Sequence, residues 1–365
     1  MFQKLRSDDY LAQRPAACNG GSLPIIQYSG EEMTIWLKDR LPGARGPFLD
    51  RLLLWSGALL VLAVAIFGIF YALDQGDGGG QGGGGGGELV RREIARYEEA
   101  IRANPDDVAT RIALAQLYYA DQRYRESVKQ YQAAIALNGE TTAILVGLGR
   151  ALLDAGDTEG AIGSFQKVIE ISQSAEVSPD LLVEAAHYYL GSIYLDRRQP
   201  AEAIVHLKEA VAIERTEADA WHLLGAAYLA NGNLDQAINA LSQAILFVPD
   251  FAEAYENLAL AYERKGLAPE SRYARGMLAY AQGRYSEAEA ELKAAIGALQ
   301  GSSVLADAYV GLGLARESQG QRDAASAAYQ QALQADPNSF NAREGLIRLN
   351  ALPSPGPGGS HGGSQ

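Results

Sequence analysis

The sequence predicts an all-α solenoid of paired helices preceded by one membrane-spanning helix, and three observations carry that reading. A pattern of Leu-Gly, Tyr, Ala, Leu and Ala at fixed offsets recurs at a period of about 34 residues, the signature of a helical repeat array. It is clearest as Leu224-Gly225, Tyr228, Ala237, Leu241, Ala244 and Pro249. It is repeated as Leu190-Gly191, Tyr194, Ala203, Leu207 and Ala210, and again as Leu312-Gly313, Ala325, Tyr329, Ala332 and Pro337. Glycines 149, 191, 225, 276 and 313 hold one register of the first helix, although Gly inside a helix costs roughly 1 kcal/mol relative to Ala. Finally, Leu52–Leu73 is an unbroken run without a charged residue.

Taken in chain order, residues 1–51 mix Gly, Pro and charges, with seven Lys or Arg against six Asp or Glu, and read as a loosely ordered segment. Leu52–Leu73 follows, long enough at about 1.5 Å per residue to span the hydrocarbon core. Lys38, Arg40, Arg45 and Arg51 lie before it, whereas the first charges after it are Asp74 and Asp77. The positive-inside rule therefore places the N-terminus in the cytoplasm and everything after residue 73 outside. The expectation is a single-pass cytoplasmic membrane protein with an extracytoplasmic solenoid. Residues 74–87 are dominated by glycine and read as a flexible tether with a reach of roughly 20 Å.

Residues 88–352 carry the repeats. An opening helix runs from Glu88 to Asn104, and units are expected near 108–141, 142–175, 184–217, 218–251, 269–302 and 306–339. In the clearest unit the first helix carries Trp221, Leu224, Gly225 and Tyr228, and Asn231-Gly232-Asn233 makes the turn. The second helix carries Ala237, Leu241, Ala244 and Ile245 and stops near Pro249. The shared glycines are expected to let the second helix approach, opposite Ala161, Ala203, Ala237, Ala288 and Ala325. Tyr255, Leu258 and Tyr262 begin a unit that breaks off, leaving a half-unit at 252–268, and the pattern restarts at Pro269. An insert is expected around 176–183, a capping helix over Ser339–Leu352, and a disordered tail over 353–365.

These residues resemble the tetratricopeptide repeat family, whose pattern Trp221, Leu224, Gly225, Tyr228, Ala237, Ala244 and Pro249 follow closely. The resemblance implies a right-handed superhelix whose first helices line a concave binding face. Projecting the family's inward positions gives the candidate groove residues Ile112, Gln116, Tyr119, Val146, Arg150, Tyr188, Tyr189, Ser192, His222, Leu223, Asn257 and Leu260. Tyr188 and Tyr189 are the candidate anchors, or one of them packs against the preceding insert, and Arg150 is placed to take a carboxylate. The Lys and Asn clamp by which one family subtype grips C-terminal carboxylates is missing, which argues against that cochaperone role.

Composition narrows the function. The chain carries −13 overall, and with residues 1–51 near neutral the remainder is acidic, which argues against nucleic acid as a partner. One cysteine, Cys18, excludes an intramolecular disulfide and a multi-thiolate zinc site. Of four histidines, His187 occupies an aromatic slot of its repeat, His206 and Glu209 read as a solvated pair, and His222 faces the groove. Neither a paired-histidine metal motif, a nucleophile elbow nor a phosphate loop occurs, so the expectation is a non-enzyme without cofactor or metal. The primary reading is a membrane-anchored scaffold that holds a peptide or protein partner in envelope assembly, secretion or complex maturation. Two alternatives remain: a self-associating structural protein forming homo-oligomers, and a cytoplasm-facing adaptor for a membrane enzyme.

Overall fold

The computed structural model describes residues 85–174 and 181–350. The expected N-terminal segment, Leu52–Leu73, nearly all of the glycine tether, and the tail lie outside those residues. Among the described residues no helix is long and apolar enough to cross a membrane. Fifteen helices, and no strands, make up the described part.

In order these are α1 (Gly85–Ala103), α2 (Val108–Ala120), α3 (Tyr124–Asn138), α4 (Thr142–Asp154), α5 (Thr158–Ser174), α6 (Leu181–Asp196), α7 (Pro200–Ile213) and α8 (Ala218–Ala230). They continue with α9 (Leu234–Phe247), α10 (Ala252–Arg264), α11 (Ala268–Ala281), α12 (Tyr285–Ile296), α13 (Leu305–Ser318), α14 (Arg322–Ala335) and α15 (Phe340–Arg348). Helix α1 starts inside the glycine run, three residues before Glu88, which sits in its first turn. Asp107, Thr141 and Ser339 cap α2, α4 and α15, each accepting from a backbone N–H in the first turn.

The shared glycine has a different neighbour from the one expected. A Cβ on Gly225 would sit 2.5 Å from Leu241 Cγ, and the same clash repeats for Gly149 with Phe165, Gly191 with Leu207, Gly276 with Leu292 and Gly313 with Tyr329. The missing side chain therefore admits a large apolar residue of the second helix, one turn beyond the alanine of the pattern. Those alanines are fully buried in their own right. Leu207, Leu241 and Leu292 are completely enclosed, each contributing about 1.5–3 kcal/mol by burial. In two units Ala115 and Ala259 stand where the others have glycine, and there a serine replaces the small residue of the second helix. Ser127 Oγ donates to the Ala115 carbonyl at 2.8 Å and Ser271 Oγ to that of Ala259 at 2.9 Å. Each is a buried hydroxyl satisfied by a helix carbonyl.

The turn within each pair also repeats. Its left-handed residue is Gly156, Gly232, Gly266, Gly283 or Gly320, but Gln122 in the first unit and Arg198 in the third. At φ of 60° and 58° those two side chains sit in the region that L residues enter at a cost.

The half-unit expected at 252–268 reads differently in three dimensions. Helix α11 packs on α10, with Ser271 in the small-residue place, and packs equally on α12, with Gly276 against Leu292. Both of its flanking turns, at Gly266 and Gly283, are of the kind found within a unit. Thus α11 is at once the second helix of one unit and the first helix of the next. The lateral contacts show the result. First helices touch in the series α2, α4, α6, α8 and α10, and then in a separate series α11, α13 and α15, with none between α10 and α12. Because α11 lies in the second-helix layer of the front array, the first-helix layer of the rear array continues that layer.

Candidate functional site

The front groove is built from the repeat upward. Lateral packing of α2, α4 and α6 brings Tyr119, Arg150 and Tyr189 together from three units, although they stand four residues after, one after and two before Ala115, Gly149 and Gly191 of their helices. The Arg150 guanidinium lies 4.9 Å from the centre of the Tyr119 ring and 5.8 Å from that of Tyr189. Both approaches are within cation–π range. The Tyr119 hydroxyl donates to the Asp154 carboxylate, and burial together with that bond pushes its pKa up to about 12. Tyr189 stacks on Phe165 of α5 at 5.1 Å and nearly parallel, while Tyr188 meets its edge at 5.4 Å. The side chain of Arg150 remains exposed and pairs with no carboxylate among the described residues. The result is a cation flanked by two aromatic rings.

The other expected groove residues fall into three groups. His222 and Asn257 bridge α8 to α10, with Asn257 Nδ2 2.9 Å from His222 Nε2 and the imidazole 4.9 Å from the Phe251 ring. Burial pulls the His222 pKa down, which suits an imidazole accepting from the amide. Val146 is buried, and Ile112 and Leu223 are half-buried among core side chains, so these three support the groove more than they line it. Gln116 and Leu260 are exposed and Ser192 is half-buried on the same helix as the two tyrosines. Of the two expected roles for Tyr189, packing is visible, although against Phe165. The segment 175–180 lies outside the described residues.

His206 is not the solvated partner of Glu209 that its spacing suggested. Its ring stacks on Tyr194 at 5.5 Å, and its Nδ1 lies 3.1 Å from His187 Nδ1, so one ring donates to the other. Burial first, and the neighbouring His206 second, push the His187 pKa down to about 4, keeping the pair neutral. Sequence spacing along one helix could not reveal a partner on the other. Among the described residues no group of three or more His, Cys, Asp or Glu is arranged to hold a metal.

A second groove was missed. The rear first helices α11, α13 and α15 flank a cavity of about 370 Å³, closed on its other sides by α9 and α10. Tyr273 and Met277 from α11 and Val310 and Leu314 from α13 stand where Ile112, Gln116, Val146 and Arg150 stand in the front array. The signal for them was the same projection continued past the half-unit.

Two profiles, both described as tetratricopeptide repeat, match residues 112–176, 273–340 and 310–352 in one case and 194–258 in the other. Together they span more than half of the sequence. The chain belongs to the tetratricopeptide repeat family. Among curated relatives, superkiller protein 3 of Schizosaccharomyces pombe is 24% identical over 155 residues, covering 42% of this chain and 11% of that protein. The outer membrane protein assembly factor BamD of Caulobacter vibrioides is 31% identical over 102 residues, covering 27% of this chain and 33% of that one. The matched stretches thus span about a tenth and a third of these relatives. Among solved structures, the tetratricopeptide repeat protein YrrB is 20% identical, with a TM-score of 0.44 over 53% of this chain and 95% of that one. A tetratricopeptide repeat protein from Parabacteroides merdae is 17% identical, with a TM-score of 0.41 over 80% and 99%.

Proposed function

We propose that this tetratricopeptide repeat protein is a membrane-anchored scaffold whose front groove holds an acidic segment of a protein partner outside the cytoplasmic membrane. The observation that carries the binding reading is Arg150, fixed between the rings of Tyr119 and Tyr189 and left without a carboxylate partner among the described residues. A planar guanidinium held in place loses little freedom on taking a carboxylate, and the tyrosines add contact area beside it. The anchor rests on Leu52–Leu73 and the orientation on the basic residues before it. Similarity to an outer membrane assembly factor over about a quarter of the chain leans toward a role in envelope assembly.

The test is photo-crosslinking in cells with the full-length chain carrying a benzophenone side chain at Gln116. A captured partner that disappears with Arg150→Gln, while the helical circular dichroism is kept, supports the reading. Capture that is unchanged by Arg150→Gln and by Tyr188→Ala with Tyr189→Ala removes the front groove from the function. Orientation is read separately, with a membrane-impermeant maleimide on intact cells. Labelling of Cys18→Ser with Ser354→Cys, and none of the parent at Cys18, is expected. The reverse result places the solenoid in the cytoplasm and favours the adaptor reading.

A further inference from the structure

The rear cavity has the opposite chemistry from the front groove. Its wall carries the rings of Tyr255, Tyr262 and Tyr273, the thioether of Met277, and the carboxylate of Asp307. No hydrogen bond or ion pair ties the Asp307 carboxylate to another described residue, and water reaches it. The cation at the rim, Arg348, is already spent on Glu317, with bonds of 2.7 and 2.8 Å to its two oxygens. Glu344 stands at the same rim, and Asp336 adds a second negative field at Asp307. Of the three tyrosine hydroxyls, that of Tyr255 is turned to the backbone and donates to the Pro249 carbonyl at 3.2 Å. What the lining offers a ligand is the tyrosines, the Met277 sulfur and the carboxylates of Asp307 and Glu344, neither of them in an ion pair among the described residues.

From this we infer that the rear cavity is a binding site for a long cationic side chain, lysine or arginine, presented by a partner protein. An apolar stem would lie along Met277 and the tyrosine rings, and its charged tip would meet Asp307. Rings of this kind attract a cation through their π faces, and the carboxylate supplies a charge-assisted hydrogen bond. The cavity is roomy enough for one such side chain together with water. The site is independent of the front groove, since it uses none of the residues named for it.

The chain has three methionines, Met1, Met33 and Met277, so methyl-¹³C methionine labelling of the full-length protein gives one signal inside the cavity. The probes are n-butylammonium, n-butylguanidinium and, as the uncharged counterpart, n-butanol. A saturable shift of the Met277 signal with either cation is expected, with n-butanol about tenfold weaker. Asp307→Asn should weaken the cations about tenfold and leave n-butanol unchanged. Because the cavity walls and Asp336 hold the Asp307 pKa above its ordinary value, affinity of the parent for the cations should fall as pH drops through the carboxylate range. That arm needs no variant, should Asp307→Asn disturb the fold. Equal response to n-butanol and n-butylammonium, the absence of a saturable Met277 shift, or cation binding indifferent to both Asp307→Asn and pH would each overturn the assignment.

Discussion

The front array (α2 to α10) and the rear array (α11 to α15) are made of the same unit yet present opposite charges. In the front, three successive first helices bring two tyrosines to one arginine. In the rear, three tyrosines line a cavity that also carries the carboxylates of Asp307 and Glu344. The packing that sets these layers is nearly identical: Gly225 on Leu241 in one array and Gly276 on Leu292 in the other. The difference teaches that a tetratricopeptide unit fixes where groove side chains stand and leaves their chemistry open. It also shows that one shared helix is enough to give a single chain two such faces.

The sharpest way to break the comparison is through those glycines. Gly225→Leu should cost at least about 3 kcal/mol, because the added side chain meets Leu241 in a space already full. Stability in such arrays is a sum of units and their interfaces. Hydrogen exchange should therefore show protection lost around α8 and α9 while α13 to α15 keep theirs, and Gly276→Leu should invert that pattern. If a melt of Gly225→Leu overlays that of the parent, the packing account is wrong.

A smaller effect separates the arrays by pH. Burial, and then Glu217 and Glu214, push the Glu184 pKa in the front array up to about 7 from an ordinary 4.5. The folded chain thus holds this proton more tightly than the unfolded one. Its contribution is fully present below about 4.5 and lost as pH rises through about 7. Glu184→Gln should raise the denaturation midpoint above pH 7 and have no such benefit near pH 4. A gain that is the same at both pH values would contradict that assignment. The smallest effect concerns the turns. Gln122→Gly and Arg198→Gly, both in the front array, should each stabilise by about 0.5–1 kcal/mol by relieving a left-handed side-chain residue. A glycine already stands at the corresponding rear turns, Gly283 and Gly320, and Gly283→Ala should cost a similar amount.

The helices and their pairing were legible because the pattern is local: a glycine, a small residue and a large apolar residue at fixed offsets. The dual role of α11 was also written in the chain. Ala259 and Gly276 lie half a repeat apart, Ser271 stands where an alanine belongs, and Gly266 and Gly283 both mark turns within a pair. It read as a break because Arg275, exposed and paired with Glu263, occupies the place where a large apolar residue packs in other units. The contacts among the expected groove residues were not legible. Whether Arg150 meets Asp154 or two tyrosine rings depends on lateral spacing between units, which the sequence of one unit does not contain. The His187–His206 pair was hidden for the same reason, since each ring takes its partner from another helix.

Helix parity has a consequence for valency. An array of complete pairs is one-sided: a longer version offers a longer track for the same ligand. With α11 counted twice the first helices fall into two series, and the track of one does not run on into the other. Loss or duplication of a single helix at this point would join the two series into one, with every other residue unchanged.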